Sequence, residues 1–236
     1  MKALVKSVVR RASKAALQDV LFRRPRGDSF DVMDIAFFNA ATDSARFYED
    51  HMLTAAAYET DLMLLAHALE LSANPGLILE FGVASGRTIR SLAEKTTRPV
   101  HGFDSFEGLP EDWRTGFAQG AFKQTMPAVP QHVQLHKGWF SDTLPAFLST
   151  NREPVALLHV DCDLYSSTKF ILEALDPQIV AGTVIVFDEY FNYPGWRHHE
   201  HKAFHEFSAK TGIEYRFDSF VPAHQQVCVV IEGRRP

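Results

Sequence analysis

Residues Leu77 to Thr88, LILEFGVASGRT, constrain the fold more than any other stretch. An apolar run of strand length reaches Glu80 and then turns through Gly82 and Gly86. The residues after it, Ile89 to Lys95, read as a helix. Strand, glycine-bearing turn and helix together form the βα entry to a nucleotide-type cofactor site. Glycines let the backbone approach a ligand, and a helix N-terminus offers free N–H groups. The spacing is Gly82-x-x-x-Gly86, without the third glycine of the G-x-G-x-x-G pattern, which argues against an ordinary dinucleotide site. Glu80, at the strand end, suits a cationic or hydroxyl-bearing ligand better than a pyrophosphate. A plain strand–turn–helix with no ligand remains open on this stretch alone.

Downstream of Leu77, strand and helix patterns alternate. Strands are expected near 77–81, 99–103, 132–136, 155–161, 182–188, 213–218 and 226–232, and helices near 87–96, 143–149, 167–176 and 199–210. Such alternation implies a mostly parallel α/β sheet with helices on both faces. The last two strands have no helix between them, so the final one should run antiparallel. Residues 43–56 and 58–72 read as two earlier helices, the second ending before Asn74-Pro75-Gly76. The connection 105–131 has no period and carries Phe106, Trp113, Phe117 and Phe122 among Gly108, Gly116 and Gly120. It is either a lid or a surface loop whose aromatics plug the core.

The N-terminal 22 residues read as a basic amphipathic helix, with Leu4, Val5, Val8, Val9, Ala12, Ala16 and Val20 on one face. It can pack on its own domain, on a second subunit, or weakly on a membrane surface; packing on protein is favoured. Residues 1–26 hold eight Lys and Arg against Asp19 alone, so the rest is more acidic than the overall −5. An acidic body makes nucleic acid a poor partner. With 46% hydrophobic and 22% charged residues, the 236-residue chain fits one soluble globular domain with an extension. The division expected is a helical extension over 1–56 and a main domain over 57–236. Cys162 and Cys228 lack redox or metal spacing, which suggests a reducing, cytoplasmic setting.

The chemistry is expected at strand ends. Asp104 closes the second strand, where doubly wound folds bind ribose hydroxyls. Asp161 and Asp163 follow a later strand, and Asp188 and Glu189 follow the next. On neighbouring strands, four ionised acids would repel and raise one another's pKa. A hard divalent cation such as Mg²⁺ relieves that repulsion, and an acid left off the metal can serve as a general base. The bland alternative is that some of these acids cap the following helices. His201 and His205 lie one turn apart and could bind a metal, though a solvated helix face is favoured. His159, inside a strand, reads as a hydrogen-bonded core histidine.

Taken in order, Glu80-Phe-Gly82-Val-Ala-Ser-Gly86-Arg-Thr88, Gly102-Phe-Asp104-Ser105, Lys137-Gly138-Trp139-Phe140, Asp161-Cys-Asp163-Leu-Tyr-Ser-Ser and Asp188-Glu189-Tyr190 carry a resemblance. The series resembles the macrocin O-methyltransferase (TylF-type) family of class I S-adenosylmethionine-dependent methyltransferases, over about residues 77–206. The resemblance implies a Rossmann-like, seven-stranded methyltransferase domain and S-adenosylmethionine as methyl donor. It implies that Glu80, Gly82, Val83, Ser85, Gly86 and Thr88 line the methionine end, and that Asp104 and Ser105 hold the ribose. Gly138, Trp139 and Phe140 would border the adenine. Asp161, also beside the cofactor, would hold Mg²⁺ with Asp188 and Glu189, and Asp163 would be the catalytic base. Many relatives carry a second aspartate where this chain has Glu189. The implied reaction is methylation of a hydroxyl on a small sugar or phenolic metabolite, in a homo-oligomeric enzyme. Two rivals stay open. One is a metal-dependent glycosyltransferase, because Asp161-x-Asp163 mimics a D-x-D pair. The other is a non-catalytic, membrane-associated protein with the same fold.

Overall fold

The computed structural model describes residues 29–72 and 74–235. The expected helix over 1–22 lies outside the described residues. Six helices are present among them: α1 Val32–His51, α2 Asp61–Leu71, α3 Arg87–Glu94, α4 Phe140–Thr150, α5 Tyr165–Leu175 and α6 Glu200–Thr211. The strands are β1 Ala56–Ala57, β2 Leu77–Phe81, β3 Val100–Asp104, β4 Val133–Lys137, β5 Val155–Val160, β6 Val184–Phe187, β7 Ile213–Phe220 and β8 Val227–Arg234. They form one sheet in the order β1-β7-β8-β6-β5-β2-β3-β4. β2 to β6 run parallel to one another. β8 runs antiparallel to both β6 and β7.

The seven expected strands and the antiparallel last one are therefore found. The sheet has an eighth strand, because the two residues of β1 pair with the end of β7. A two-residue strand is too short to leave a period-2 pattern. The expected helix over 43–56 also shifts: α1 starts at Val32, where Asp31 caps it by accepting from the Met33 and Asp34 amides at 2.8 and 3.4 Å. Val32, Met33 and Phe37 are exposed, so the first half of α1 shows no amphipathic stripe to read.

Every residue of β2, β5 and β6 is buried, as central parallel strands covered on both faces must be. One core layer joins Leu79, Phe81, Leu158, Phe187 and Phe204. The other joins Leu64, Ile78, Ile89, Leu157 and Val186. Phe47 of α1 packs at 5.6 Å from Trp196 and 5.5 Å from Phe217, which ties α1 to the β7 end of the sheet. Chain order runs outward from β2 in one direction and from β5 in the other. The sheet thus reverses between β2 and β5, and ligands of open α/β sheets bind beyond the strand ends at such a reversal.

Candidate active site

The carboxyl ends of β2, β3, β5 and β6 are held level by backbone bonds. The amide of Gly82 donates to Phe103 O at 3.0 Å, Asp161 N to Phe81 O at 2.8 Å, and Asp188 N to Val160 O at 2.9 Å. A cavity of about 620 Å³ opens over these ends. Gly82, Ala84, Asp104 and Ser105 line one part; Asp161, Cys162, Asp163 and Glu189 line another. Glycine is required at position 82. Its φ is +94°, and a Cβ there would sit 1.6 Å from the Asp161 carbonyl oxygen. The two strand ends at the reversal therefore touch.

Asp104 is built into the turn. Its Oδ2 accepts from the amides of Val83 and Ala84 at 2.9 and 2.8 Å, and Oδ1 accepts from Phe106 N at 2.7 Å. Two carboxylate oxygens offer about four acceptor sites, so room for one more donor remains. Trp139 and Phe140 form the wall beside it, and Trp139 is exposed by 41%. Gly138 lies behind them and donates to Asp104 O at 3.0 Å.

Glu80 departs from the expectation that it lines the methionine end. Its side chain is fully buried beneath the turn and is not part of the cavity wall. Thr88 Oγ1 donates to one oxygen at 3.0 Å, and the ring Nδ1 of His159 bonds to the other at 2.9 Å. An acid inside a central strand must be paired in this way, because burying an unpaired charge is costly. Thr88 and Val83 are buried too, and Ser85, Gly86, Thr88 and Val83 support the turn without lining the cavity.

The acids do converge. Ligand atoms of His159, Asp161 and Asp188 lie within 4.8 Å of one another. Glu189 falls outside that group; its amide donates to Glu200 Oε2 at 3.0 Å, and its buried Oε2 has no hydrogen-bond partner among the described residues. Burial raises the Asp161 pKa well above the usual carboxylate range, and the nearby Asp188 charge adds to it. Burial and the charge of Asp188 likewise raise Glu189. Asp163 rises to about 7 through burial and Asp188, with Arg114 opposing. Burial also works to raise Asp188, but His159, with Gln226 and Glu189, offsets it and holds the pKa low. His159 itself is pushed down by burial, yet Asp188 and Glu80 carry its pKa well above the imidazole range. Such clustered, opposed shifts mark functional sites. Asp163 also sits at φ +64°, a left-handed conformation costing about 1–3 kcal/mol in a non-glycine residue.

Sequence reading missed several participants. Glu200, fully buried at the start of α6, adds a fifth carboxylate behind Glu189. It stands alone in a polar stretch, so nothing local distinguishes it. The loop 105–131 both lines the cavity and plugs the core. Phe106 and Trp113 are buried in the core, and Trp113 also lines the cavity with Phe117 and Phe122, which stack at 5.2 Å. Arg114 also lines the cavity, its guanidinium 3.9 Å from the Trp113 ring and 4.6 Å from the Tyr193 ring. His201 corrects the expectation of a solvated histidine face. It packs 4.7 Å from Trp196 and 5.4 Å from Phe47, and burial lowers its pKa to about 4. His205 is exposed.

Comparison with known proteins agrees with this geometry. Residues 79–190 match a family model described as a methyltransferase domain. Over 145 residues the chain is 32% identical to 8-demethyl-8-(2,3-dimethoxy-alpha-L-rhamnosyl)-tetracenomycin-C 4'-O-methyltransferase of Streptomyces olivaceus, covering 49% of this chain and 53% of that one. It is 29% identical over 147 residues to demethyldecarbamoylnovobiocin O-methyltransferase of Streptomyces niveus, covering 51% and 55%. The chain thus matches about half the length of these curated relatives. Among solved structures, the calicheamicin methyltransferase CalS11 superposes with a TM-score of 0.59 at 26% identity, covering 72% of this chain and 78% of that one. The O-methyltransferase NovP gives 0.54 at 24% identity, covering 73% and 79%. No helix among the described residues is long and apolar enough to cross a membrane. The chain has the Rossmann-like fold of class I methyltransferases, and its cavity lies at the sheet reversal.

Proposed function

We propose that the protein is an S-adenosylmethionine- and Mg²⁺-dependent O-methyltransferase of the macrocin O-methyltransferase type. Its acceptor would be a hydroxyl on a small sugar-bearing or phenolic metabolite. The observation that carries this reading is a single cavity whose wall holds both the Gly82–Asp104 turn and the acids Asp161, Asp163 and Glu189. The two curated relatives are named as O-methyltransferases of a rhamnosyl-bearing tetracenomycin and of a novobiocin precursor. CalS11 is described as a TDP-rhamnose 3'-O-methyltransferase. Those names support an acceptor of the same chemical kind here.

The residues present fit both groups. Asp104 has acceptor capacity left for a ribose hydroxyl, and the Trp139 face offers an apolar platform for a base. Asp161 and Asp188, with Glu189 and its unpartnered Oε2, would hold the cation, whose charge relieves their mutual repulsion. When bound, S-adenosylmethionine supplies an electrophilic methyl and Mg²⁺ supplies Lewis acidity toward an acceptor hydroxyl. The chain's own residues do the rest. Asp163, aimed into the cavity and shifted toward neutrality by burial, takes the proton of the acceptor hydroxyl. Phe117, Phe122 and Phe170 exclude water and cradle an apolar acceptor body. The Trp113–Arg114 segment pins the loop to Tyr193 and so fixes the acceptor's position.

Calorimetry with S-adenosylhomocysteine and with UDP tests the reading. Binding of the homocysteine ligand alone is expected. Binding of UDP alone would replace the reading with the metal-dependent glycosyltransferase that the Asp161-x-Asp163 pair also suits. A homo-oligomeric state is part of the proposal, and a weak membrane-surface contact through residues 1–26 is the less favoured alternative to packing of that segment on protein. Equilibrium sedimentation tests the first, and liposome sedimentation with and without that segment tests the second.

A further inference from the structure

The mechanism uses Asp161, Asp163, Asp188 and Glu189 but leaves two fully buried polar residues beneath them, Glu80 and His159. They face each other across neighbouring strands, because β2 pairs with β5 in a register that sets Glu80 opposite His159. β6 lies on the other side of β5, and Asp188 directly follows it. A polar chain therefore crosses three strands: Thr88 Oγ1 to Glu80 at 3.0 Å, then Glu80 to His159 Nδ1 at 2.9 Å. It continues from His159 Nε2 to Asp188 Oδ1 at 3.8 Å. The last gap is too long for a hydrogen bond, and Nε2 has no other partner among the described residues. A buried ring nitrogen left unbonded is rare and calls for an explanation. The ring cannot turn away to find one, because Nδ1 is fixed on Glu80. A shift of Asp188 by about 0.9 Å would bring the pair to an ordinary hydrogen-bond length of about 2.9 Å.

We propose that His159 is the positioning residue of the acid cluster: Glu80 clamps its ring through Nδ1, and Nε2 orients the Asp188 carboxylate toward the cation. The proposal rests on the methyltransferase reading above. Carboxylates that bind metals are commonly fixed by donors behind them, and losing such a donor costs roughly 10–100-fold in metal affinity. Thr88 stands in the first turn of α3, directly after the cofactor turn. The chain thus ties the cofactor strand to the cation strand through side chains alone.

Two substitutions separate this role from simple core filling. His159→Gln places its amide near the position of Nε2 and abandons Glu80. His159→Asn places its amide near Nδ1 and abandons Asp188. Mn²⁺ binding to each, followed by calorimetry with S-adenosylhomocysteine present, is the main readout. The Gln variant should stay within about threefold of wild type, and the Asn variant should lose roughly tenfold or more. Where activity is measured, the Asn variant should show a raised Mn²⁺ requirement that added metal restores. A residue serving only to pair Glu80 would give the reverse order, and equal affinities would also overturn the proposal. An arm without substitution covers the case in which a variant does not fold. In wild-type protein labelled with ¹⁵N-histidine, the slowly exchanging Nε2–H of the buried ring should shift on Mg²⁺ addition and persist. An unmoved signal, or loss of that proton, would overturn the proposal, the latter by making His159 a direct ligand. Failure of wild type to bind S-adenosylhomocysteine would instead sink the methyltransferase reading.

Discussion

Replacing Gly82 by alanine isolates the contact between the two strand ends that frame the cavity. Gly116 supplies the control, because its φ of +92° nearly equals the +94° of Gly82, yet a Cβ there meets nothing within 4 Å. Gly116→Ala should therefore cost only the backbone term, about 1–2 kcal/mol for a left-handed alanine. Gly82→Ala carries the same term and a collision. Its Cβ would lie 1.6 Å from the Asp161 carbonyl oxygen and 2.6 Å from the carbonyl carbon. Relief to about 3.0 Å requires the chain at Asp161 or Gly82 to move by roughly 1.4 Å. Backbone shifts forced by overpacking a core cost about 1–3 kcal/mol, sometimes more. The total for Gly82→Ala is then about 2–5 kcal/mol, a large share of a typical domain stability of about 5–15 kcal/mol. The displacement also moves Asp161, so cofactor affinity should fall where Gly116→Ala leaves it intact. Urea unfolding followed by circular dichroism measures the first effect and a S-adenosylhomocysteine titration the second. Equal unfolding midpoints and equal affinities for the two variants would refute the reasoning.

Other outcomes follow from the same geometry. Asp163→Asn keeps the side-chain shape but cannot take a proton, so it should bind S-adenosylhomocysteine like wild type and lose about 10²–10⁴-fold in turnover, measured at saturating donor. EDTA should abolish turnover and Mg²⁺ should restore it; an EDTA-indifferent rate would remove the cation from the account. His201 has a folded pKa of about 4 against an ordinary 6.5. The unfolded chain takes up its proton as pH drops below about 6.5, while the folded chain resists until about 4. Stability from this group is thus present above pH 6.5 and lost as pH falls through that window. His201→Phe, which suits the Phe47–Trp196 cluster, should flatten that part of the stability profile, read as Tm against pH.

The parts of the fold that the sequence made legible share one property: they are local. Leu77–Phe81 and Val155–Val160 are apolar runs ended by acids, and each strand carries its own signal. The order of acids along the chain then fixed which strand ends mattered, because a parallel sheet brings those ends to one edge. What stayed hidden depends on pairing across distance. Glu80 looked like a cavity acid because it stands at a strand end. Its partners Thr88 and His159 become visible only once β2 and β5 are in register. Glu200 needed α6 to fold back over β6 before it could meet Glu189. His201 looked solvated because Phe47, which covers it, comes from a helix far upstream. The start of α1 escaped because its exposed Val32, Met33 and Phe37 blur the helical stripe, although Asp31 was in place as a cap.

The most direct test is a crystal structure of the protein grown with S-adenosylhomocysteine and Mn²⁺, with data collected at the manganese edge. The account predicts the homocysteine ligand along Gly82, Asp104 and Trp139, and one anomalous peak at Asp161 and Asp188, both within the same cavity. A ligand-bound structure with manganese absent from those carboxylates, or a cavity that excludes the ligand, would contradict it.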